Sequence, residues 1–148
     1  MSIEDKAMRA ENTILPGEPC EARDAPLLTP HVLVVDDECM ILKLVAGILL
    51  PHGLEVSTAE NGDQAVDLIR RHACISVTIL DWQMPGMSGE QVFDRIAAIR
   101  PDLKVIVISG DSRWEVERAF AGRDVIRFLP KPFKAAALVS AVKSALAA

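Results

Sequence analysis

Cysteine is scarce in this chain and has no pattern: Cys20, Cys39 and Cys74 are odd in number and show neither CxxC nor metal-ligand spacing, which argues against a disulfide scaffold and for a reducing cytoplasm. Long apolar runs are missing too. None approaches the roughly 18 residues of a membrane span, and residues 1–30 lack a signal-peptide core behind a basic start. There is no dense run of Lys or Arg, and the formal charge is −5, so neither direct nucleic-acid binding nor membrane-surface binding is expected. Nucleotide-cradling glycine patterns, GxGxxG and GxxxxGK[ST], are also absent.

What is present suits one globular domain. Of 148 residues, 50% are apolar and 25% charged, enough to bury a two-sided core without disulfides or metal as staples. Residues 1–30 stand apart: Pro16, Gly17, Pro19, Pro26 and Pro30 among mixed charges resist regular structure, and this segment reads as a Pro-rich flexible N-terminal tail. From His31 to Ala148, short β-branched runs alternate with segments of helical period. The runs are "HVLVV", "LEVSTA", "CISVTIL", "KVIVIS" and "VIRFL". The first intervening helix is expected to turn Ile41, Leu44, Val45, Ile48 and Leu49 inward and to stop at Pro51 and Gly53. Others are expected after Asn61-Gly62, from near Ser88 to before Pro101, from about Ser112 to Ala121, and through Leu138, Val142 and Leu146. Five such units make an α/β domain, a doubly wound parallel sheet with helices on both faces.

Sheets of this kind bind ligands at the carboxyl ends of their strands. Here those ends deliver Asp36-Asp37-Glu38, then Asp81 at the head of "DWQMPGMSG", then Ser109-Gly110, then Lys131-Pro132. Taken singly, each has an ordinary structural explanation as a helix cap, a turn residue or a solvated charge. Together they form a chemistry. Three converging carboxylates repel one another, and a hard cation such as Mg2+ relieves them, sharing its shell with phosphate oxygens. Lys131 adds a point charge from the other side. An aspartate so placed can attack phosphorus, so Asp81 is the expected nucleophile, with Ser109 hydrogen-bonding a phosphoryl oxygen and the backbone carbonyl of Gln83 turned to the metal.

These marks, Asp36-Asp37, the "DWQMPGMSG" turn, Ser109 and "FLPKPF" around Lys131, resemble the receiver domain of two-component response regulators, over residues 31–148. The resemblance implies a flavodoxin-like receiver fold of strand order 2-1-3-4-5 and a cis Lys131-Pro132 bond. It implies Mg2+-dependent transfer of a phosphoryl group to Asp81 from a sensor histidine kinase or a histidine phosphotransfer protein, with later self-catalysed hydrolysis and no other enzymatic activity. Asp37, Asp81 and the Gln83 carbonyl would ligate the metal, Asp36 partly through water; Ser109 and Lys131 would hold the phosphoryl oxygens. Phe128 falls at the family's aromatic switch position. Output would pass to a downstream protein partner or homodimer through the face made by the fourth helix, fifth strand and fifth helix, where Trp114 and Phe120 also fall.

Two readings of the whole compete with a free-standing regulator, namely a receiver excised from a larger regulator or hybrid kinase, and a sink that drains phosphate from a kinase. An aspartyl-phosphate hydrolase is more remote, since position 83 is Gln where those enzymes resemble DxD, and no insertion is large enough for a substrate cap.

Overall fold

The strands follow directly from the apolar runs. In the computed structural model, which describes residues 29–110, 118 and 127–147, they are β1 (His31–Val35), β2 (Glu55–Ala59), β3 (Ile75–Asp81), β4 (Lys104–Ser109) and β5 (Arg127–Pro130). All pair in parallel in the order β2-β1-β3-β4-β5, the expected arrangement. Four helices are described: α1 (Cys39–Leu49), continued by a 3-10 turn over Leu50–His52, α2 (Gly62–Arg71), α3 (Gly89–Ile99) and α4 (Ala135–Ala147). The helix expected at 112–121, the start of the last strand at Val125, the tail up to residue 28, Trp114 and Phe120 lie outside the described residues.

A parallel sheet covered on both faces needs apolar residues of both parities, and it has them. Val32 and Val34 of β1, Val77 and Ile79 of β3, and Ile106 and Ile108 of β4 pack with α1 and α4. Leu33, Val35, Leu80, Val105 and Val107 pack on the other face with Ala65 and Ile69 of α2 and Val92, Phe93 and Ile96 of α3. One residue breaks parity. Ile75 belongs to the second cluster although Val77 and Ile79 belong to the first, because the pairing jumps from His31↔Ile75 to Val32↔Val77 and leaves Ser76 as an extra residue.

The inward face of α1 differs from expectation. Leu42, Val45 and Leu49 are buried, Ile41 and Ile48 are half-buried, and Leu44 points outward with Met40. A strip centred on Leu42 and Val45 serves the i, i+3, i+7 spacing as well as one through Leu44, and packing on β1 and β2 together with α4 selects it. Helix starts obey local chemistry. Asn61 Oδ1 accepts from the Gln64 amide while Gln64 Oε1 accepts from the Glu60 amide, and Ser88 and Gln91 form a reciprocal capping box. Gly53 ends the 3-10 turn in the left-handed region, with φ 78°.

Gly89 couples helix packing to a strand end. A Cβ there would lie 2.5 Å from the Trp82 Cα and 2.8 Å from the Asp81 carbonyl oxygen, so the α3 start rests directly on the backbone that ends β3. Gly47, on the exposed side of α1, has nothing within 4 Å of such an atom. Gly47→Ala is therefore expected to stabilise the protein by roughly 0.5–1 kcal/mol, whereas Gly89→Ala should cost about 1–3 kcal/mol. Denaturant unfolding of the two variants checks the contrast, and equal effects would show that the α3 start is not seated on β3.

Candidate functional site

Register builds the site before any side chain is considered. Val35 pairs with Leu80, so extending the ladder one step sets Asp36 beside Asp81 on neighbouring strands about 4.8 Å apart. Their side chains continue the parity of Val34 and Ile79 and emerge on the α1/α4 face. Asp36 is wholly buried and Asp81 2% exposed. Asp37, one residue on, is exposed, and single carboxylate oxygens of Asp36, Asp37 and Asp81 lie within 4.8 Å of one another. Backbone amides hold two of the acids in place: the Glu38 amide donates to Asp36 Oδ1 at 2.8 Å and the Gln83 amide to Asp81 Oδ1 at 3.2 Å.

Lys131 arrives from the far strand. Its amide donates to the Ser109 carbonyl at 2.8 Å, extending the β4–β5 pairing past Ser109↔Pro130, and its bond to Pro132 is cis, as expected. The ammonium lies 3.1 Å from Asp36 Oδ2, 3.4 Å from Glu38 Oε1 and 3.5 Å from Asp81 Oδ1. Ser109 is wholly buried at the end of β4, the strand that pairs Ile108 with Asp81. The β3–α3 loop is fastened at its ends, the Trp82 amide donating to the Ile108 carbonyl and the Gly89 amide to the Trp82 carbonyl.

The structure thus gathers Asp36, Asp37, Asp81 and Lys131, with Gln83 and Ser109 at their borders. Phe128 stands apart, half-buried opposite Val107 on β5 and packed with the second cluster. Two contributors were not assigned from sequence. Glu38, visible there as the third acid of its run, pairs with Lys131. Gly89, visible as part of the turn, supports the Asp81–Trp82 backbone.

Charge is the outstanding problem of this arrangement. Burial, then the neighbouring Asp36, push the Asp81 carboxyl up to about 7, against the opposing pull of Lys131 and the Gln83 amide. Burial alone would lower Lys131, but Asp81, Asp36 and Glu38 together raise it, so it remains an ammonium. A half-protonated aspartate is a poor nucleophile; a hard cation among these oxygen donors restores the ionised form. The donor set fits a small divalent ion, being all oxygen and short of compensating positive charge.

The consequence for stability has a definite sign. A folded-state value near 7 against 3.8 makes ionised Asp81 a cost that is absent well below pH 3.8, sets in as pH rises past it and is complete above 7. Without divalent cation, Asp81→Asn should match the wild type near pH 3 and exceed it by on the order of 2 kcal/mol at pH 8, about half the full shift once local relaxation shares the charge. Adding Mg2+ should narrow the gap by stabilising the wild type. Parallel pH profiles of the melting temperature would show that the Asp81 charge is already balanced.

A family model described as the response regulator receiver domain matches residues 32–143. The chain is 33% identical over 116 residues to the transcriptional regulatory protein GlrR of Escherichia coli (strain K12), covering 78% of this chain but 26% of that protein. It is 32% identical over 119 residues to the chemotaxis protein CheY of Bacillus subtilis (strain 168), covering 78% of this chain and 97% of that one. The crystal structure of a CheY-like response regulator receiver domain protein from Methanospirillum hungatei JF-1 superposes with a TM-score of 0.76 over 81% of this chain and 95% of that one; at 23% identity this speaks for the fold. With family model, curated relatives and topology in agreement, the chain belongs to the receiver domain family of two-component response regulators.

Proposed function

We propose that Asp81 is the phosphoacceptor of this receiver and that phosphorylation there switches a protein-interaction face. The observation that carries this reading is the placement of a buried strand-end carboxylate, Asp81, 3.5 Å from the Lys131 ammonium and within the Asp36–Asp37 cluster. The donor is a phosphohistidine of a sensor kinase or phosphotransfer protein. A carboxylate oxygen of Asp81 attacks phosphorus, an O–P bond forms, and the P–N bond breaks with its electron pair returning to the imidazole, which takes up a proton.

Asp36, Asp37, Asp81 and the Gln83 carbonyl are the residues that would hold Mg2+. When bound, the ion offsets charge on the acid and on the phosphoryl oxygens. The chain's own contribution is positional. The Gln83 amide and Lys131 orient the Asp81 carboxylate; the hydroxyl of Ser109, buried at the end of β4, would donate to a phosphoryl oxygen, and Lys131 would neutralise the group transferred. Hydrolysis of the acyl phosphate at the same site resets the domain. No helix among the described residues is long and apolar enough to cross a membrane.

For the output, an aspartyl phosphate adds roughly two negative charges near neutral pH. Drawing Ser109 toward it would shift the segment after β4 and open room for Phe128, whose strand leads to Lys131 and α4. The face so remodelled includes β5, α4 and the helix expected at 112–121, and a downstream protein or a second copy would read it.

Two measurements check this reading. Asp81→Asn should take no label from a phosphorylated kinase or from acetyl phosphate, because an amide cannot form the acyl phosphate, and chelation of divalent ions should stop labelling of the wild type. Stoichiometric label on Asp81→Asn would name a different acceptor. Ser109→Ala should still accept phosphate but show a weakened response, measured as the change at Phe128 on adding beryllofluoride. A full response in Ser109→Ala would remove the hydroxyl from the switch.

A further inference from the structure

Glu38 occupies an unusual position. It is the N-cap of α1, where a side chain normally accepts from the first helical amides, yet it makes no such bond. Its carboxylate reaches across to Lys131 instead, at 3.4 Å, nearer than Asp81 Oδ1 at 3.5 Å. The rest of the residue is fixed. Its amide donates to Asp36 Oδ1, and its carbonyl accepts from the Ile41 and Leu42 amides that open α1.

We propose that Glu38 is a positioning residue that tethers Lys131 in the unphosphorylated domain, so that an incoming phosphoryl group must compete with it for the ammonium. The inference rests on Asp81 being the phosphoacceptor. Lys131 cannot turn wholly toward a phosphoryl oxygen while one of its donors is spent on Glu38, since an ammonium has three. The Glu38 side chain is 62% exposed, whereas that of Asp36 is wholly buried, so Glu38 is the partner of Lys131 that water can replace at small cost. Glu38 therefore sets how readily Lys131 is released and hence the rate of phosphorylation, while Asp36 and Asp81 keep the ammonium in the site.

Charge and reach separate in two substitutions. Glu38→Asp keeps the charge but shortens the side chain by one methylene and favours its turning onto the helix amides. Glu38→Gln keeps the length and removes the charge. For the tether, Glu38→Asp should bind beryllofluoride in the presence of Mg2+ about two- to fivefold more tightly than wild type, and label correspondingly faster from acetyl phosphate, the range of an ion pair with one exposed partner. Its affinity for Mg2+ alone, read by titration of tryptophan emission, should stay within about twofold because the charge is retained. Glu38→Gln should share the gain in beryllofluoride affinity while losing some Mg2+ affinity. In a Lys131→Ala background at saturating Mg2+, Glu38→Asp, which keeps the charge, should leave beryllofluoride affinity unchanged. An unchanged Glu38→Asp, or a Glu38→Asp gain that persists without Lys131, would overturn the tether while leaving the phosphoacceptor reading intact. Failure of the wild type to distinguish itself from Asp81→Asn in beryllofluoride binding would overturn that reading and this inference with it.

Discussion

Carboxylates crowded at the end of a parallel sheet repel one another, and nearly every feature of this domain's upper edge answers that repulsion. Among the described residues, Asp36, Glu38 and Asp81 stand around the ammonium of Lys131 with Asp37 beside the two aspartates, and Asp81 is driven toward neutrality despite the ammonium. A fold selected for stability alone would not bury two aspartates side by side on adjacent strands. The arrangement suits the proposed function: a site short of positive charge that a divalent cation would complete, leaving Asp81 ionised for attack on phosphorus.

The scaffold makes the crowding tolerable by keeping it rigid and shallow. β1 and β3 beneath are apolar on both faces along most of their length and almost wholly buried, which fixes register, and register fixes the spacing of Asp36 and Asp81. Amides from Glu38 and Gln83 bind the acids from the loops beyond each strand. The Lys131 amide and the Trp82 amide, both bonded to the end of β4, bring the opposite walls together. The loops carry the chemistry and the strands carry the precision.

Much of this was legible in the sequence, for a physical reason. Parallel strands buried on two faces appear as near-continuous β-branched runs, so "HVLVV", "CISVTIL" and "KVIVIS" located the sheet, and the acid, hydroxyl and lysine at their ends located the site. Three things were not legible. Leu44 and Leu42 fit a helical stripe equally well, and only packing on the sheet and α4 decides between them. Glu38 reads as a third acid in a run, because nothing in sequence tells a helix cap from a partner of a lysine on another strand. Gly89 reads as a turn residue, while its contact with the Asp81–Trp82 backbone is a matter of how α3 leans on β3.

The extra residue at Ser76 carries a consequence of its own. Alternation along a strand behaves as a phase, and the phase with which β3 leaves its first residue is opposite to the one with which it reaches Asp81. The half-period is absorbed at the end of the sheet remote from the acids, where Ser76 Oγ donates to the Cys74 carbonyl and Arg100 Nη2 to the Ile75 carbonyl. Entry into β3 and delivery of its last carboxylate are therefore uncoupled. A residue gained or lost between α2 and β3 need not turn Asp81 to the wrong face, whereas one gained or lost between Val77 and Leu80 would invert the site.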